Sequence, residues 1–360
     1  MAYKPFNKNL LMKVLFFGKY HKGYSRNEVI LGSLKATGTI VEELYSQKNL
    51  LIRSFELFFK GLSKNFDYIW VAYPGYLDIF AAKLLGIVKR KKVFLDGFTS
   101  IWDSEIEYGH YHKDSLKSRQ LFFSEKIACK LADKIILDTS ENASFFSNKF
   151  KINKEKFDWL PVGANQKVFD FKKVKQKRQT KKFRVLFYGK VTPMHGFDNI
   201  VEAATKLAHE KQIEFVFIGA NWRFREKQNM LKSKFENIVF KNELTYTQLA
   251  QEIADADLLL GIFGKTKKAN RVIPNKIFEP SAMKKPILTM RSKAVERFYT
   301  HKENIYLVEA GSTQEIKKGI LDLKRNNALR TKIAKNAFEL FQANFSYNKI
   351  GTRIKDILEK

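Results

Sequence analysis

The chain is 360 residues long, 44% hydrophobic and 14% aromatic, with 66 Lys plus Arg against 37 Asp plus Glu and a formal net charge of +29. Its length suits two domains, and its apolar content excludes a disordered chain. A single cysteine, Cys129, excludes an internal disulfide framework and fits a reducing compartment.

The charge is spread, with 32 basic against 18 acidic residues in 1–180 and 34 against 19 in 181–360. No detachable basic arm accounts for it. An even positive field suits nucleic acid, an anionic membrane surface or phosphorylated small molecules, and it equally describes solvated lysines. The early apolar run LLMKVLFFG is short and broken by Lys13, and no small-residue cleavage site follows, so no signal peptide is expected. No stretch approaches the roughly 18 apolar residues of a spanning helix. The expectation is a cytoplasmic protein, soluble or peripheral on the inner face of the membrane.

In chain order, KVLFFGK (13–19) reads as a buried strand ending in a Gly turn. EVILGSLKATG (28–38) has helical spacing and stops on Gly38, and TIVEELY is the second strand. NLLIRSFELFFKGL (49–62) is basic, Phe-rich and amphipathic. Phe55, Phe58 and Phe59 with Arg53 and Lys60 suit an anionic membrane surface and equally a helix packed on the sheet; the packed helix is the expectation. Strands follow at DYIWVAYPG (67–75), KKVFLDGF (91–98) and KFDWLPVG (156–163), with a helix at LDIFAAKLLG (77–86) and a helix end followed by a strand in LADKIILDTS (131–140). FKKVKQKRQTKKFR (171–184) has eight basic residues and no acidic one, and reads as an exposed linker.

Then RVLFYGK (184–190) repeats the opening phrase and the alternation restarts. A helix is expected at 197–210, strands at 213–221 and 237–243, a helix at 246–256, and strands at 257–264, 285–290 and 304–310. The reading is α/β, with two Rossmann-like domains facing a central cleft. Residues 1–170 form the first, joined by a final helix over 345–360; 171–183 is the linker, and 184–344 the second.

Ligands of such sheets bind at the carboxyl ends of strands, so the loop GKVTPMHGFDN (189–199) is a candidate. Gly189 permits a tight turn, Lys190 brings charge, and Gly196 opens a helix beside His195, which is a diphosphate site in outline. In NRVIPNKIFEPSAMKKPILT (270–289), Asn275 can cap the helix KIFEPSAM, and Lys276 at its start is comfortable only before an anion. Glu279, three positions on, could grip two ribose hydroxyls; an ordinary surface Lys–Glu pair reads the same way. Asp96 and Asp103, with Phe98 and Ser100, follow a strand and should face the cleft. Either Asp could position or deprotonate an acceptor hydroxyl, or serve as a turn residue. Arg26 and Asn27 could touch phosphate or acceptor. His110 and His112 could be a metal pair, an acceptor-side base or plain loop, the last being the expectation. Asp255-Ala256-Asp257 straddles a helix end and a strand start, and reads as structural.

GKVTPMHGFDNIVEAATKL, VFIGAN, ADADLLLGIFG and VIPNKIFEPSAMKKPILT together resemble the donor half of the GT-B glycosyltransferases of the family-4 type (glycosyl transferases group 1). The first half is similar more loosely, in GYSRN, LADKIILDTS and WLPVGANQKVF. The resemblance implies a retaining, generally metal-independent transfer of a sugar from a nucleotide-diphosphate sugar to a glycan, lipid-linked or other hydroxyl acceptor. It implies no cofactor beyond that donor. Lys190 matches the residue on the donor diphosphate, and His195-Gly196 the Lys-Gly or His-Gly pair of the next helix start. Glu279 matches the ribose-binding glutamate, with Lys276 in the same element and Asn221 and Asn275 on the donor side. Arg271 stands where many relatives carry a second glutamate near the sugar, which leaves the sugar open. The implied partners are a nucleotide sugar and a glycan or lipid-linked acceptor; the positive charge leaves an anionic membrane surface open as a further partner, while nucleic acid is not expected. A nucleotide-sugar epimerase of the same fold, or a non-catalytic basic module for nucleic acid or membrane, is the alternative.

Overall fold

The computed structural model describes residues 11–177, 181–231 and 233–360. Residues 1–10, expected at the start of the first domain, and 178–180 of the expected linker lie outside the described residues.

The first half holds β1 (Lys13–Gly18), β2 (Ile40–Tyr45), β3 (Tyr68–Val71), β4 (Lys92–Phe98), β5 (Lys134–Leu137) and β6 (Phe157–Trp159). They form one parallel sheet in the order β2-β1-β3-β4-β5-β6. Its helices are α1 (Ser25–Ala36), α2 (Leu50–Leu62), α3 (Ile79–Lys89), α4 (Ile101–Glu107), α5 (Leu116–Leu131) and α6 (Ser140–Phe150). Strand β1 is apolar from Val14 onward because both of its faces are covered. Leu15 and Phe17 pack under α2, α3 and α5, while Val14 and Phe16 pack under α1 and the final helix.

The second half repeats the plan with β7 (Phe183–Tyr188), β8 (Ile213–Ile218), β9 (Ile238–Lys241), β10 (Leu258–Leu260), β11 (Ile287–Met290) and β12 (Tyr306–Val308). The parallel order is β12-β11-β10-β7-β8-β9. Its helices are α7 (Phe197–Lys206), α8 (Trp222–Leu231), α9 (Tyr246–Asp255), α10 (Asn275–Ala282), α11 (Lys293–Glu296), α12 (Thr313–Arg325) and α13 (Asn327–Asn344). The last helix, α14 (Tyr347–Glu359), returns to the first half, where Ile350, Ile354 and Ile357 share a core with Val29, Ile30 and Leu34. The two sheets match the α/β arrangement expected. Asp255 and Asp257 accept from the backbone N–H groups of Lys177 and Arg184, which fastens the chain entering β7.

The expectation of a packed α2 holds in part: the helix lies on the sheet, but two of its three phenylalanines do not. Leu57 is its buried contact, whereas Phe55 and Phe59 are 65% and 62% exposed. Arg53 turns inward instead, and its Nε donates to Asp78 at 2.7 Å. Phe58 packs against the core beside Leu57; that stripe satisfies the sheet, so Phe55 and Phe59 point outward.

Candidate functional site

Strand β7 lies where the strand order reverses, with β8 on one side and β10 on the other. Such a reversal opens a crevice at the carboxyl ends. Tyr188 closes the strand, and Gly189 turns the chain at φ +107°. A Cβ at 189 would lie 2.9 Å from Lys276 Nζ, so the ammonium occupies the space that glycine leaves.

Lys276 is the second residue of α10 and 7% exposed, with its ammonium 5.4 Å from the ring centroids of Phe187 and Tyr188. Burial pulls its pKa down to about 8, and Glu279 only partly restores it. Among the described residues no carboxylate lies within ion-pair distance of it. A buried cation at a helix start, without a counter-ion, is a seat for an external anion.

His195 adjoins it. Its Nε2 is 3.0 Å from Lys276 Nζ, and its Nδ1 is 2.7 Å from Thr192 Oγ1. Burial and the lysine hold His195 well below its usual pKa, so the ring is neutral. With Lys276 protonated, Nε2 accepts from the ammonium and Nδ1–H donates to Thr192 Oγ1. The other tautomer, with Nδ1 accepting from Thr192 N–H at 3.1 Å, leaves Nε2–H facing a deprotonated Lys276. Gly196 has φ +59°, and its Cβ would meet the Phe263 carbonyl carbon at 2.6 Å. This close approach sets the start of α7, whose first amides have no side-chain cap. Lys190 is exposed and has no partner among the described residues.

Glu279 is 2% exposed and accepts from Tyr188 O–H at 2.7 Å. Burial raises its pKa to about 7, against the Tyr188 bond and the Lys276 charge. One end of this cluster therefore offers ammonium groups and free amides, and the other a carboxylate acceptor. That set can hold a diphosphate beside a vicinal diol.

Other candidates are engaged elsewhere. Asn221 donates to Val191 O at 2.5 Å and accepts from Phe224 N–H, so it ties the loop to α8. Asn275 is the first helical residue and makes no side-chain cap; Pro274 precedes the helix. Asp96 is 0% exposed and grips Arg26 Nε and Nη2 at 3.0–3.2 Å, while Arg26 Nη1 donates to Leu160 O and Pro161 O. A carboxylate sealed on a guanidinium is a strut of the first half, not a base at the cleft. Asn27 is buried, with its amide donating to Tyr73 O. His110 sits on an exposed turn against Glu105 at 2.9 Å.

Asp103 does reach the cleft. It pairs with Arg271 Nη2 at 2.5 Å across the two halves. Arg271 Nε also donates to Asn142 Oδ1, its carbonyl accepts from Thr139 Oγ1 at 2.6 Å, and its guanidinium lies 3.9 Å from the Phe145 ring centre. Lys268, 4% exposed, donates to Ser104 Oγ beside them. The sequence pointed to Asp103 but missed Lys268 and the pairing of Asp103 with Arg271. It also missed Tyr188, whose only signal was the Tyr in RVLFYGK opposite Phe17 in KVLFFGK.

A cavity of 380 Å³ opens between Thr192–Phe197 and Trp222–Arg223 of α8. A cleft of 720 Å³ lies between α6–β6 and Arg271–α11. Among the described residues no group of three or more His, Cys, Asp or Glu is gathered as a metal site.

The model of a family described as glycosyl transferases group 1 matches residues 168–340, the stretch that carries this cluster. An uncharacterized glycosyltransferase of Methanocaldococcus jannaschii is 20% identical over 326 residues, covering 86% of this chain and 79% of its own. The crystal structure of Anabaena HepE in complex with UDP-glucose superposes with a TM-score of 0.69 at 16% identity, over 97% of this chain and 99% of that one. A sucrose-phosphate synthase of Thermosynechococcus elongatus gives 0.70 at 12%, over 97% and 98%. This chain is a glycosyltransferase of GT-B fold whose second half is a glycosyl transferases group 1 domain.

Proposed function

We propose that the chain is a retaining transferase of the family-4 type that moves a sugar from a UDP-sugar to a hydroxyl acceptor, carried on a glycan or a lipid. The observation that carries the reading is the buried Lys276 ammonium, with no carboxylate in ion-pair contact among the described residues, against Gly189. In this reading Lys276 and Lys190 face the diphosphate, His195 holds Lys276 in place, and Glu279 takes the ribose hydroxyls. Residues 184–344 bind the donor, and residues 1–170 with α14 bind the acceptor. UDP is the nucleotide favoured because HepE, which shares the fold, has UDP-glucose in its crystal structure.

Cleaving the bond from the anomeric carbon to the diphosphate oxygen builds negative charge on the leaving phosphate. Two lysines and the amides opening α7 and α10 meet that charge and stabilise the transition state more than the ground state. The protein charge does this work without a metal. Retention at the anomeric carbon rests on the resemblance to the family. A cytoplasmic location agrees with the free, buried Cys129 and with the finding that no described helix is long and apolar enough to cross a membrane.

The test is thermal stabilisation by UDP, GDP, ADP, CMP and dTDP in EDTA. Selective stabilisation by UDP, lost in Glu279→Ala, supports the reading. Indifference to every nucleotide contradicts it.

A further inference from the structure

Among the described residues, 13 of the 20 large apolar side chains left exposed sit on α2, α3 and α5 or in the turn entering α3. On α2 they are Leu50, Leu51, Ile52, Phe55 and Phe59, with 51, 55 and 59 one turn apart on one stripe. On α3 the stripe is Phe80, Leu84, Ile87 and Val88, following Leu77. On α5 it is Leu116, Phe123 and Ile127. The inward faces of the same helices, through Leu57, Ile79, Ala82, Leu85 and Ala128, cover one side of the first sheet. Their outward stripes therefore form a single layer rather than scattered exposures. A layer of this extent marks an interaction surface.

Its charge names the partner. Residues 48–64, 77–91 and 115–131 hold twelve basic and three acidic residues. Of the acids, Asp78 and Glu125 are buried, and Glu56 is held by Lys48 and Lys60. Of the bases, Arg53 is turned inward, Lys64, Lys83 and Lys91 pair with Glu42, Asp133 and Asp67 from outside these ranges, and the rest face outward. Outward, the layer is apolar ridges flanked by lysine and arginine. A second copy would set these cations against one another. Nucleic acid would meet mostly aliphatic side chains, which give bases little to stack on.

We propose that the outward face of α2, α3 and α5 docks on an anionic lipid bilayer. Phenylalanine and leucine enter the acyl boundary, while the lysine stems lie along it with their ammonium groups at the headgroups. Helices α2 and α3 start just after β2 and β3, so the layer borders the carboxyl edge of the first sheet, where the cleft opens. This docking is independent of the donor-site reading. If both hold, an acceptor carried on a lipid would be delivered beside the cleft.

The experiment is flotation of the whole chain with phosphatidylcholine vesicles, with and without phosphatidylglycerol. The variants are Phe55→Ser/Phe59→Ser and Lys117→Glu/Arg119→Glu, with Met230→Ser on α8 as control. UDP stabilisation, measured in parallel, reports folding and the donor site separately. Binding should require the anionic lipid and fall about tenfold or more in each double variant but not in the control, with UDP stabilisation unchanged. Failure of the wild type to float overturns the proposal. So does flotation insensitive to the Phe pair, which would be unspecific charge, or an oligomer dissolved by that pair without lipid binding, which would be a protein interface.

Discussion

The ammonium of Lys276 stands where a side chain at residue 189 would begin, 2.9 Å from the Cβ that Gly189 lacks. The first half repeats the relationship with the opposite sign. A Cβ at Gly18 would meet Asp78 Oδ2, also at 2.9 Å, and that oxygen already accepts from Lys19 N–H at 2.7 Å while Arg53 holds its partner. In KVLFFGK the post-strand amide has an internal carboxylate. In RVLFYGK a cation waits at the same place, which explains why one half suits an external anion and the other does not.

Removing the internal carboxylate should therefore cost stability and leave nucleotide binding alone. Asp78→Ala strands the buried Arg53 and the Lys19 amide, a loss of about 3 kcal/mol. Chemical denaturation should show this, and the UDP affinity of the folded variant should stay within about twofold of wild type.

Tyr188→Phe tests the hydroxyl that distinguishes the two strands. Glu279 loses its 2.7 Å donor, a bond that lowers its pKa. UDP should bind about 3- to 10-fold more weakly, for a loss near 1 kcal/mol. The acid limb of the binding profile should move to higher pH. An unchanged titration would mean that Glu279 does not face the ribose.

The pH dependence follows from two buried groups. Glu279, raised to about 7, keeps its proton longer folded than unfolded, so its contribution to stability falls as pH rises from the ordinary glutamate range through 7. Lys276, lowered to about 8, loses its proton earlier when folded, so stability rises as pH climbs from 8 towards the ordinary lysine range. The empty site is thus least stable between about pH 7 and 8, where both charges are present. That is where a nucleotide diphosphate should bind best. The UDP-induced rise in melting temperature should be bell-shaped, and Lys276→Met should remove its alkaline limb.

Arg271 joins the halves through Asp103, Asn142 and Thr139. Arg271→Ala should keep UDP affinity within about twofold but lower turnover about tenfold or more, because closure aligns donor and acceptor. Equal losses in both would place Arg271 on the donor instead.

The strands were legible because parallel strands buried on both faces are written as apolar runs, VLFFG (14–18) and VLFY (185–188) among them. Lys276 and Glu279 were legible because a lysine at a helix start, three residues before a glutamate, needs an explanation. Asp96 misled because its partner, Arg26, lies 70 residues away, and no local pattern distinguishes a sealed ion pair from a cleft carboxylate. Phe55 and Phe59 were assigned inward because an amphipathic period marks a stripe without saying how many sides of a helix are covered.

The most direct test is calorimetric titration of UDP into the wild type and Lys276→Met, with circular dichroism confirming that the variant is folded. A buried ammonium on the diphosphate predicts a loss of about 10- to 100-fold in affinity, the range of one charge-assisted hydrogen bond. Equal affinity in the folded variant would contradict the account, because the seat between Gly189 and Lys276 would then hold no phosphate.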